Sequence, residues 1–152
     1  FEPFTDLKHM NPFSTTDLHV KGRLVYNDIV HFLGNVREDI IRWCHSIGTM
    51  SGTISPKLQF DSKRVAVMET KIDEMVLILP KEEFRPQCGS ELSNRLHLCR
   101  TACRKTERCL SRLIGVYEKQ GIEKNLDDEL RYINRLGHYL RQAAEMAALK
   151  SV

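Results

Sequence analysis

The sequence predicts an all-α protein, an up-and-down bundle of four to five helices. Apolar residues recur at helical spacing in four separate segments, and modest loops rich in turn-forming residues join those segments. The length of 152 residues is that of one compact domain with a single core. Helices joined by such loops pack as antiparallel neighbours, so we expect a bundle over residues 25–152, preceded by an extended arm over residues 1–24.

The arm and the first helix differ in pattern. Residues 1–24 contain two prolines, a Ser-Thr-Thr-Asp run and little periodicity, which is typical of an arm lying over a domain surface. A first helix is predicted over residues 26–47, followed by a loop over residues 48–56. Its apolar stripe consists of Ile29, Val30, Leu33, Val36, Ile40, Trp43, Cys44 and Ile47.

A second, shorter helix is predicted over residues 62–75. Val65, Met68, Ile72 and Met75 recur there at helical spacing. A second loop is predicted over residues 80–89. We also expect Leu77, between this helix and the loop, to be part of the core.

The third helix has the longest apolar seam in the chain. Alternating steps of four and three residues place the seam on one side of the helix, which is predicted to be buried. Free cysteine packs as a small hydrophobe, so the cysteines in the seam are predicted to be core residues. The seam consists of Leu92, Leu96, Cys99, Cys103, Thr106, Leu110, Leu113 and Tyr117.

A fourth helix is predicted over residues 127–150, after a turn over residues 119–126. Acidic residues at its start, Asp127 and Asp128 among them, favour a helix N-terminus because they interact well with the helix dipole. It completes the bundle.

The third helix also carries a row of cations beside its seam. Arg100, Arg104 and Arg108 repeat every fourth residue, and Lys105 and Arg112 extend the basic face. Like charges at this spacing destabilise a helix by roughly a few tenths of a kcal/mol per pair, so a balancing group is expected. Carboxylates of neighbouring helices, a nucleic-acid backbone and a polyphosphate are the candidates.

Composition excludes several other classes of protein. A net charge of +3 is too small to indicate a general nucleic-acid binder, and no apolar run is long enough for a membrane span, so no membrane insertion is expected. Five cysteines, three of them on one helix, do not suggest a disulfide framework. The histidines show no metal-ligand spacing, so no metal site is assigned.

Two motifs resemble those of a known family. The segment L-H-L-C-R-T-A-C-R-K-T-E-R, residues 96–108, is similar to the pattern L-H-x-x-R-x-x-C-R-R-A-E-R of the PduO-type ATP:corrinoid adenosyltransferases. Y-I-N-R-L-G-H-Y-L, residues 132–140, is similar to the family's Y-L-N-R-L-S-D-Y-L. Residues 32–38 and 77–80 are weaker echoes of V-G-T-x-D-E and F-I-L-P-G-G. The resemblance covers residues 25–149.

The resemblance implies a helical bundle, a homotrimer, a mitochondrial location and transfer of the 5′-deoxyadenosyl group of ATP to a reduced corrinoid. It would assign the ATP phosphates to Arg104 and Arg108, because guanidinium groups bind phosphate oxygens well. Glu107 would arrange Mg²⁺ or the neighbouring arginine, and Asn134 would position the nucleotide. Arg100 would form a structural ion pair.

The sequence departs from the family pattern at several positions. The family's phosphate loop, T-K-T-G-D-x-G, has no counterpart in residues 1–26, whose only glycine is Gly22, so weak ATP binding is expected. In the placement above, the aspartate of V-G-T-x-D-E becomes Arg37, which removes the acidic partner expected for Arg100. Further departures, on the corrinoid side, are His138 for an aspartate, Leu77 for an aromatic residue, and Lys81 and Glu82 for two glycines.

Three hypotheses about function follow. The first is a cobalamin adenosyltransferase-like bundle with a degraded ATP and corrinoid site, which binds other protein subunits in a larger mitochondrial assembly, needs no cofactor and is not an enzyme. The second is an active ATP:cob(I)alamin adenosyltransferase that uses ATP, Mg²⁺ and cobalamin. The third is a bundle that contacts RNA through the basic face of the third helix.

Overall fold

The computed structural model describes residues 15–49, 59–86 and 89–150, with side chains from Asn27 onwards except that of Lys150. These residues form four α-helices, one short 3₁₀ turn and no strand, which confirms the all-α bundle. The helices are α1 Thr15–Gly48, α2 Lys63–Ile78, α3 Glu91–Gln120 and α4 Asp127–Lys150, and the 3₁₀ turn is Glu82–Phe84.

Cross-helix contacts show that α1 and α3 each run antiparallel to α4. The Ser93 hydroxyl donates to the carbonyl oxygen of Ala144 at 2.8 Å, and the side chain of Asn134 bonds to α3 farther along. On the other side, the rings of Phe32 and Tyr139 meet edge to face with centroids 4.8 Å apart. The last helix therefore lies at the centre of the bundle and contacts the other three.

The composition of α4 explains its central position. Two of its tyrosines are fully buried, and alanines near its C-terminal end let neighbouring helices approach closely because they have no bulk beyond Cβ. The core also includes apolar residues of the other three helices. Buried apolar side chains of α4 are Tyr132, Ile133, Leu136, Tyr139, Leu140, Ala143, Ala144, Met146, Ala147 and Ala148.

Both ends of α3 are defined by local chemistry. Ser90, in an extended conformation, accepts a hydrogen bond from the backbone N–H of Ser93 at its side-chain oxygen, as an N-cap residue does. Gly121 ends the helix at φ 67°, and Ile122 N–H then donates to the carbonyl oxygen of Tyr117 at 2.9 Å. A left-handed conformation at this position favours glycine, so the sequence itself stops the helix there.

The first helix is longer than predicted. It begins at Thr15, so residues 15–24 are helical and do not belong to an extended arm, while residues 1–14 lie outside the described residues. The helical spacing in fact continues upstream of residue 26, since Leu18 and Val25 precede Ile29 by eleven and four positions. Asp17 in the first turn also suits a helix N-terminus. The second helix likewise ends three residues later than predicted, at Ile78.

Several residues predicted to be in the core are exposed. The side chain of Leu77 is 57% exposed, whereas that of Leu79 is fully buried. Cys99 is exposed and only Cys103 of the two seam cysteines is buried, because α4 covers a narrower strip of α3 than the seam spans. On α1 the buried line is displaced from the predicted stripe. It comprises Ile29, Phe32, Val36, Asp39 and Trp43, and leaves Val30, Ile40 and Cys44 exposed.

No helix among the described residues is long and apolar enough to cross a membrane.

Candidate functional site

The centre of the candidate site is a hydrogen bond between α3 and α4. The side-chain amide of Asn134 donates to a carboxylate oxygen of Glu107 at 2.9 Å, and both side chains are half-buried. One helical turn away, the Cys103 thiol donates to the carbonyl oxygen of Ile133 at 3.4 Å. Antiparallel packing therefore brings together two residues that lie on different motifs in the sequence.

The arginines beside this pair are available for binding. Arg104 and Arg108 are exposed and Arg100 is half-buried, and none of the three forms an ion pair with a described residue. The exposed Lys105 and Arg112 likewise have no acidic partner in the described part of the chain. The structural ion pair expected for Arg100 therefore stays a prediction.

Cations on the opposite face of α4 behave differently. Arg131 and Arg135 both reach Glu69 of α2, with N–O distances of 2.9 and 3.4 Å. Carboxylates thus neutralise the α2–α4 face, whereas none of those described neutralises the basic face of α3. The latter keeps its donors free for an anion.

The segment after α2 is held against α4. Glu82 of this 81–85 segment forms an ion pair with Arg141 of α4 at 2.7 Å. Arg141 also reaches Glu145, on the same helix, at 3.2 Å. Arg85 binds the same buried Glu145 at 3.2 Å from the other side. The Glu145 carboxylate also raises the pKa of Arg141 above its ordinary value, chiefly through the hydrogen bond between them.

A buried polar cluster links α1, α2 and α4. Arg64 donates to both oxygens of the Asp39 carboxylate at 2.9 and 3.0 Å, and the Tyr132 hydroxyl donates to the same carboxylate at 2.8 Å. Burial, followed by this hydrogen bond, raises the pKa of Tyr132 above its ordinary range. The cluster was not predicted from the sequence. The available signal was Asp39, whose spacing from Phe32, Val36 and Trp43 places it on the buried side of α1 and so requires a polar partner.

Two buried side chains, those of Cys103 and Tyr139, have titratable groups that do not belong to the candidate site. Burial raises the pKa of the Cys103 thiol to about 12, so this thiol is protonated and unreactive near neutral pH. The Tyr139 hydroxyl is buried without a hydrogen-bond partner in the described structure. Among the side chains described, no group of three His, Cys, Asp or Glu residues could hold a metal ion.

The residues that depart from the family motif are scattered. His138 on α4 is exposed, as are Lys81 and Glu82 in the 81–85 segment. Arg37, which occupies the position of the aspartate expected to pair with Arg100, is exposed on α1.

Comparison with known proteins shows similarity to one family over most of the chain. The profile described as "Cobalamin adenosyltransferase" matches residues 14–147. The corrinoid adenosyltransferase of Bacillus subtilis (strain 168) is 25% identical over 152 residues, which cover 99% of this chain and 75% of that protein. Human corrinoid adenosyltransferase MMAB is 30% identical over 92 residues, or 60% of this chain and 34% of its own length. No solved structure matches significantly.

The extent of this match bears on one motif. It begins at residue 14, well before the segment 32–38 that we compared with V-G-T-x-D-E. Thr15-Thr16-Asp17, at the start of α1, also fits the T-x-D part of that pattern. The pattern thus has two placements, and Asp17 is a second candidate for the acidic position assigned above to Arg37.

Proposed function

Because the chain belongs to the cobalamin adenosyltransferase family, we propose that it keeps the helical bundle, has lost adenosyl transfer, and serves as an interaction subunit of a larger assembly. The assembly is proposed to be mitochondrial and to contain other protein subunits. Family membership concerns the fold and the ancestry of the site. The loss of chemistry and the role in an assembly are the proposal.

The state of the 81–85 segment carries this proposal. The family resemblance implies two glycines after the I-L-P run, where backbone can approach a flat ligand closely. Here those positions hold Lys81 and Glu82, and Glu82 is bound to Arg141. The ion pair between Arg85 and the buried Glu145, together with that between Glu82 and Arg141, joins the segment to α4. Moving it toward a corrinoid would break an ion pair that is largely buried, which is strongly unfavourable.

The chemistry of α4 gives further support. His138 stands where the family pattern has an aspartate, so the site has lost a negative charge beside Asn134. Changes on the corrinoid side, beside an intact core, fit a fold retained without its reaction.

An anaerobic adenosylation assay tests this proposal. The purified chain is mixed with chemically reduced cobalamin and MgATP, and the visible absorbance change of cobalt–carbon bond formation is followed. The Bacillus subtilis relative provides the positive control. We expect no turnover. Turnover near that of the control would overturn the proposal, and so would isolation from native extracts as a free homotrimer with bound corrinoid.

A second candidate function is ATP binding, with or without adenosyl transfer. The Asn134–Glu107 hydrogen bond is formed, and Arg104 and Arg108 beside it lack described carboxylate partners. Two guanidinium groups can bind phosphate oxygens, and a single carboxylate fits Mg²⁺, which is commonly held by one or two carboxylates and the substrate phosphates. Glu107 would then hold Mg²⁺, whose charge would neutralise the phosphates.

Thermal unfolding with and without MgATP tests the second candidate. A ligand that binds only the folded chain stabilises it by RT ln(1 + [L]/Kd), so the melting temperature rises with ligand concentration. ATP binding at this site predicts a rise that Arg104→Gln removes and that the exposed, distant Lys63→Gln preserves. No rise in the unchanged chain at millimolar MgATP would dismiss it.

A further inference from the structure

The exposed side of α3 presents a continuous row of cations. We name Arg100, Arg104, Lys105, Arg108 and Arg112 the cationic flank. Four of these five side chains are exposed and Arg100 is half-buried at the α4 edge. None of them forms an ion pair with a described residue, although seven other arginine and lysine residues of the bundle do. Within the described part of the chain, the flank is therefore a place where positive charge accumulates without compensating carboxylates.

The geometry of the flank is regular. Its four arginines repeat every fourth residue, so they follow one another at about 6 Å along the helix axis, from a rise of about 1.5 Å per residue. This row turns gradually around α3, from the edge that meets α4 to the side facing away from it. Evenly spaced charges of one sign match a ligand with evenly spaced charges of the other sign.

The acidic residues of α3 do not interrupt this row. Glu91 forms an ion pair with Arg95 at 2.7 Å, before the flank begins. Glu107 accepts the hydrogen bond from Asn134 and so faces α4. Glu118 lies six residues beyond Arg112. No described carboxylate consequently relieves the repulsion within the flank, and a polyanion would relieve it.

We propose that the cationic flank binds the phosphate backbone of double-stranded RNA. This inference rests on the proposed function, because in a working enzyme Arg104 and Arg108 would be occupied by ATP. Single-stranded recognition usually needs exposed aromatic rings on which bases stack, and the only aromatic residue of α3, Tyr117, is buried. Proteins bind duplex RNA mainly through its shape, its phosphates and its 2′-hydroxyls. A row of suitably spaced hydrogen-bond donors is enough for such contacts, and no exposed aromatic ring is needed.

The position of α3 in the bundle favours RNA over a DNA duplex. A helix that reads DNA enters the major groove with its most exposed side. The row here begins at the half-buried Arg100, beside α4, and reaches the outer side of α3 only towards Arg112, so it forms an oblique ridge and not the single face of an inserted helix. A ridge of cations can follow the phosphates of A-form RNA, whose major groove admits no helix.

Fluorescence anisotropy with a labelled 20-base-pair RNA duplex at 50, 100 and 200 mM salt tests the proposal on the full chain. The variant Arg104→Gln/Arg108→Gln/Arg112→Gln removes three charges of the flank. The control Arg37→Gln/Lys63→Gln/Lys81→Gln removes three exposed charges that lie elsewhere. Thermal melts check that both variants remain folded.

We expect the flank variant to weaken binding at least tenfold at 100 mM salt and the control to weaken it less than threefold. The slope of log K against log salt is negative, and each lost phosphate contact makes it shallower by about 0.9. The magnitude of the slope should therefore decrease by about 3 in the flank variant. Absence of binding at 50 mM salt, or an equal loss in the control, would overturn the inference.

Three further ligands separate the alternatives. Single-stranded RNA and a DNA duplex of equal length should bind at least fivefold more weakly; equal or tighter binding of either overturns the assignment to duplex RNA. MgATP at 1 mM should leave the duplex bound, whereas full displacement would indicate a nucleotide site and overturn it. Anisotropy measures RNA binding and not turnover, so its result is independent of the adenosylation assay. A chain that neither binds RNA nor adenosylates cobalamin would contradict this inference and leave the proposed loss of activity standing.

Discussion

Asn134 of α4 donates its side-chain amide to Glu107 of α3 across 2.9 Å. Each residue lies on a different one of the two helical motifs that resemble the adenosyltransferase signature, so the bond joins the two halves of the candidate site. It also holds Glu107 toward α4 and leaves Arg104 and Arg108 facing solvent. The same contact thus organises both the candidate nucleotide site and the charge distribution of α3.

The Asn134–Glu107 bond should contribute a measurable coupling energy. We expect the cycle of Asn134→Ala, Glu107→Ala and the double variant to give a coupling of about 1.5 kcal/mol in the free energy of unfolding, since hydrogen bonds to charged groups contribute somewhat more than neutral ones. Urea denaturation provides the measurement. A coupling near zero would mean that the bond is not formed in solution.

Asp39 should be among the most sensitive polar residues. Asp39→Ala leaves Arg64 without its bidentate partner and Tyr132 without its acceptor, so we expect a loss of about 3 kcal/mol in the free energy of unfolding. Glu38→Ala, at the exposed neighbouring position, should change it by less than about 0.5 kcal/mol. Chemical denaturation of both variants checks the contrast, and equal effects would contradict the buried cluster.

Leu77 and Leu79 form a matched pair two residues apart. Leu79→Ala should destabilise the fold by about 2 to 4 kcal/mol because it opens a cavity in the core. Leu77→Ala removes an exposed side chain and should cost less than about 0.5 kcal/mol. Melting temperatures of the two variants decide the matter, and a large loss for Leu77→Ala in an isolated monomer would show that this end of α2 packs differently.

The buried Cys103 should make stability depend on alkaline pH. Burial raises the pKa of this thiol from 9.0 to about 12 in the folded chain, so the unfolded chain loses its proton first. The stabilisation is complete below pH 9 and is lost as pH rises from 9 toward 12, with a slope of at most about 1.4 kcal/mol per pH unit.

Urea denaturation at pH 8, 9 and 10 measures that slope. Cys103→Ser keeps a donor for the carbonyl oxygen of Ile133 but does not titrate in this range, so its slope should be smaller than that of the unchanged chain. Cys99→Ser, at an exposed position of the same helix, should leave the slope unchanged. Identical slopes for all three proteins would contradict the prediction.

Arg85 should be important for the 81–85 segment. Arg85→Ala removes one of two guanidinium groups on the buried Glu145, and we expect a loss of about 2 kcal/mol because Arg141 still pairs with that carboxylate. Glu83→Ala in the same segment is the control, since its side chain is exposed. Hydrogen exchange should show faster exchange of the backbone amides of residues 82–85 in Arg85→Ala only; unchanged exchange would mean that this ion pair does not hold the segment.

Local patterns predicted the helices well, for reasons visible in particular residues. The start of α4 follows from its acidic first turn, and the end of α3 follows from a glycine that tolerates a left-handed conformation. Helix α1 is longer than predicted: the prolines and polar residues before residue 26 favoured an extended arm, although Leu18 and Val25 continue the helical period. Short-range preferences act within one turn, so they are readable from neighbours in sequence.

Burial was predicted less well, since it depends on which helix covers which side. Leu77 and Leu79 are chemically identical, yet only Leu79 faces α4 and the rest of the core. Cys99 shares the seam of Cys103, but α4 covers only part of that seam. Spacing defines one side of a helix, while the width of the covered strip is a property of its neighbours.

The sequence by itself determined the four helices, apart from the start of α1, and the family. Only the tertiary structure decided that Asn134 bonds to Glu107 and that Asp39 is buried between Arg64 and Tyr132. It also decided that the cationic flank of α3 has no carboxylate partner among the described residues, while the arginines facing α2 have one. The physical reason is range. Helix propensity and capping act over a few residues, whereas hydrogen bonds and ion pairs form between side chains that packing brings within about 3 Å.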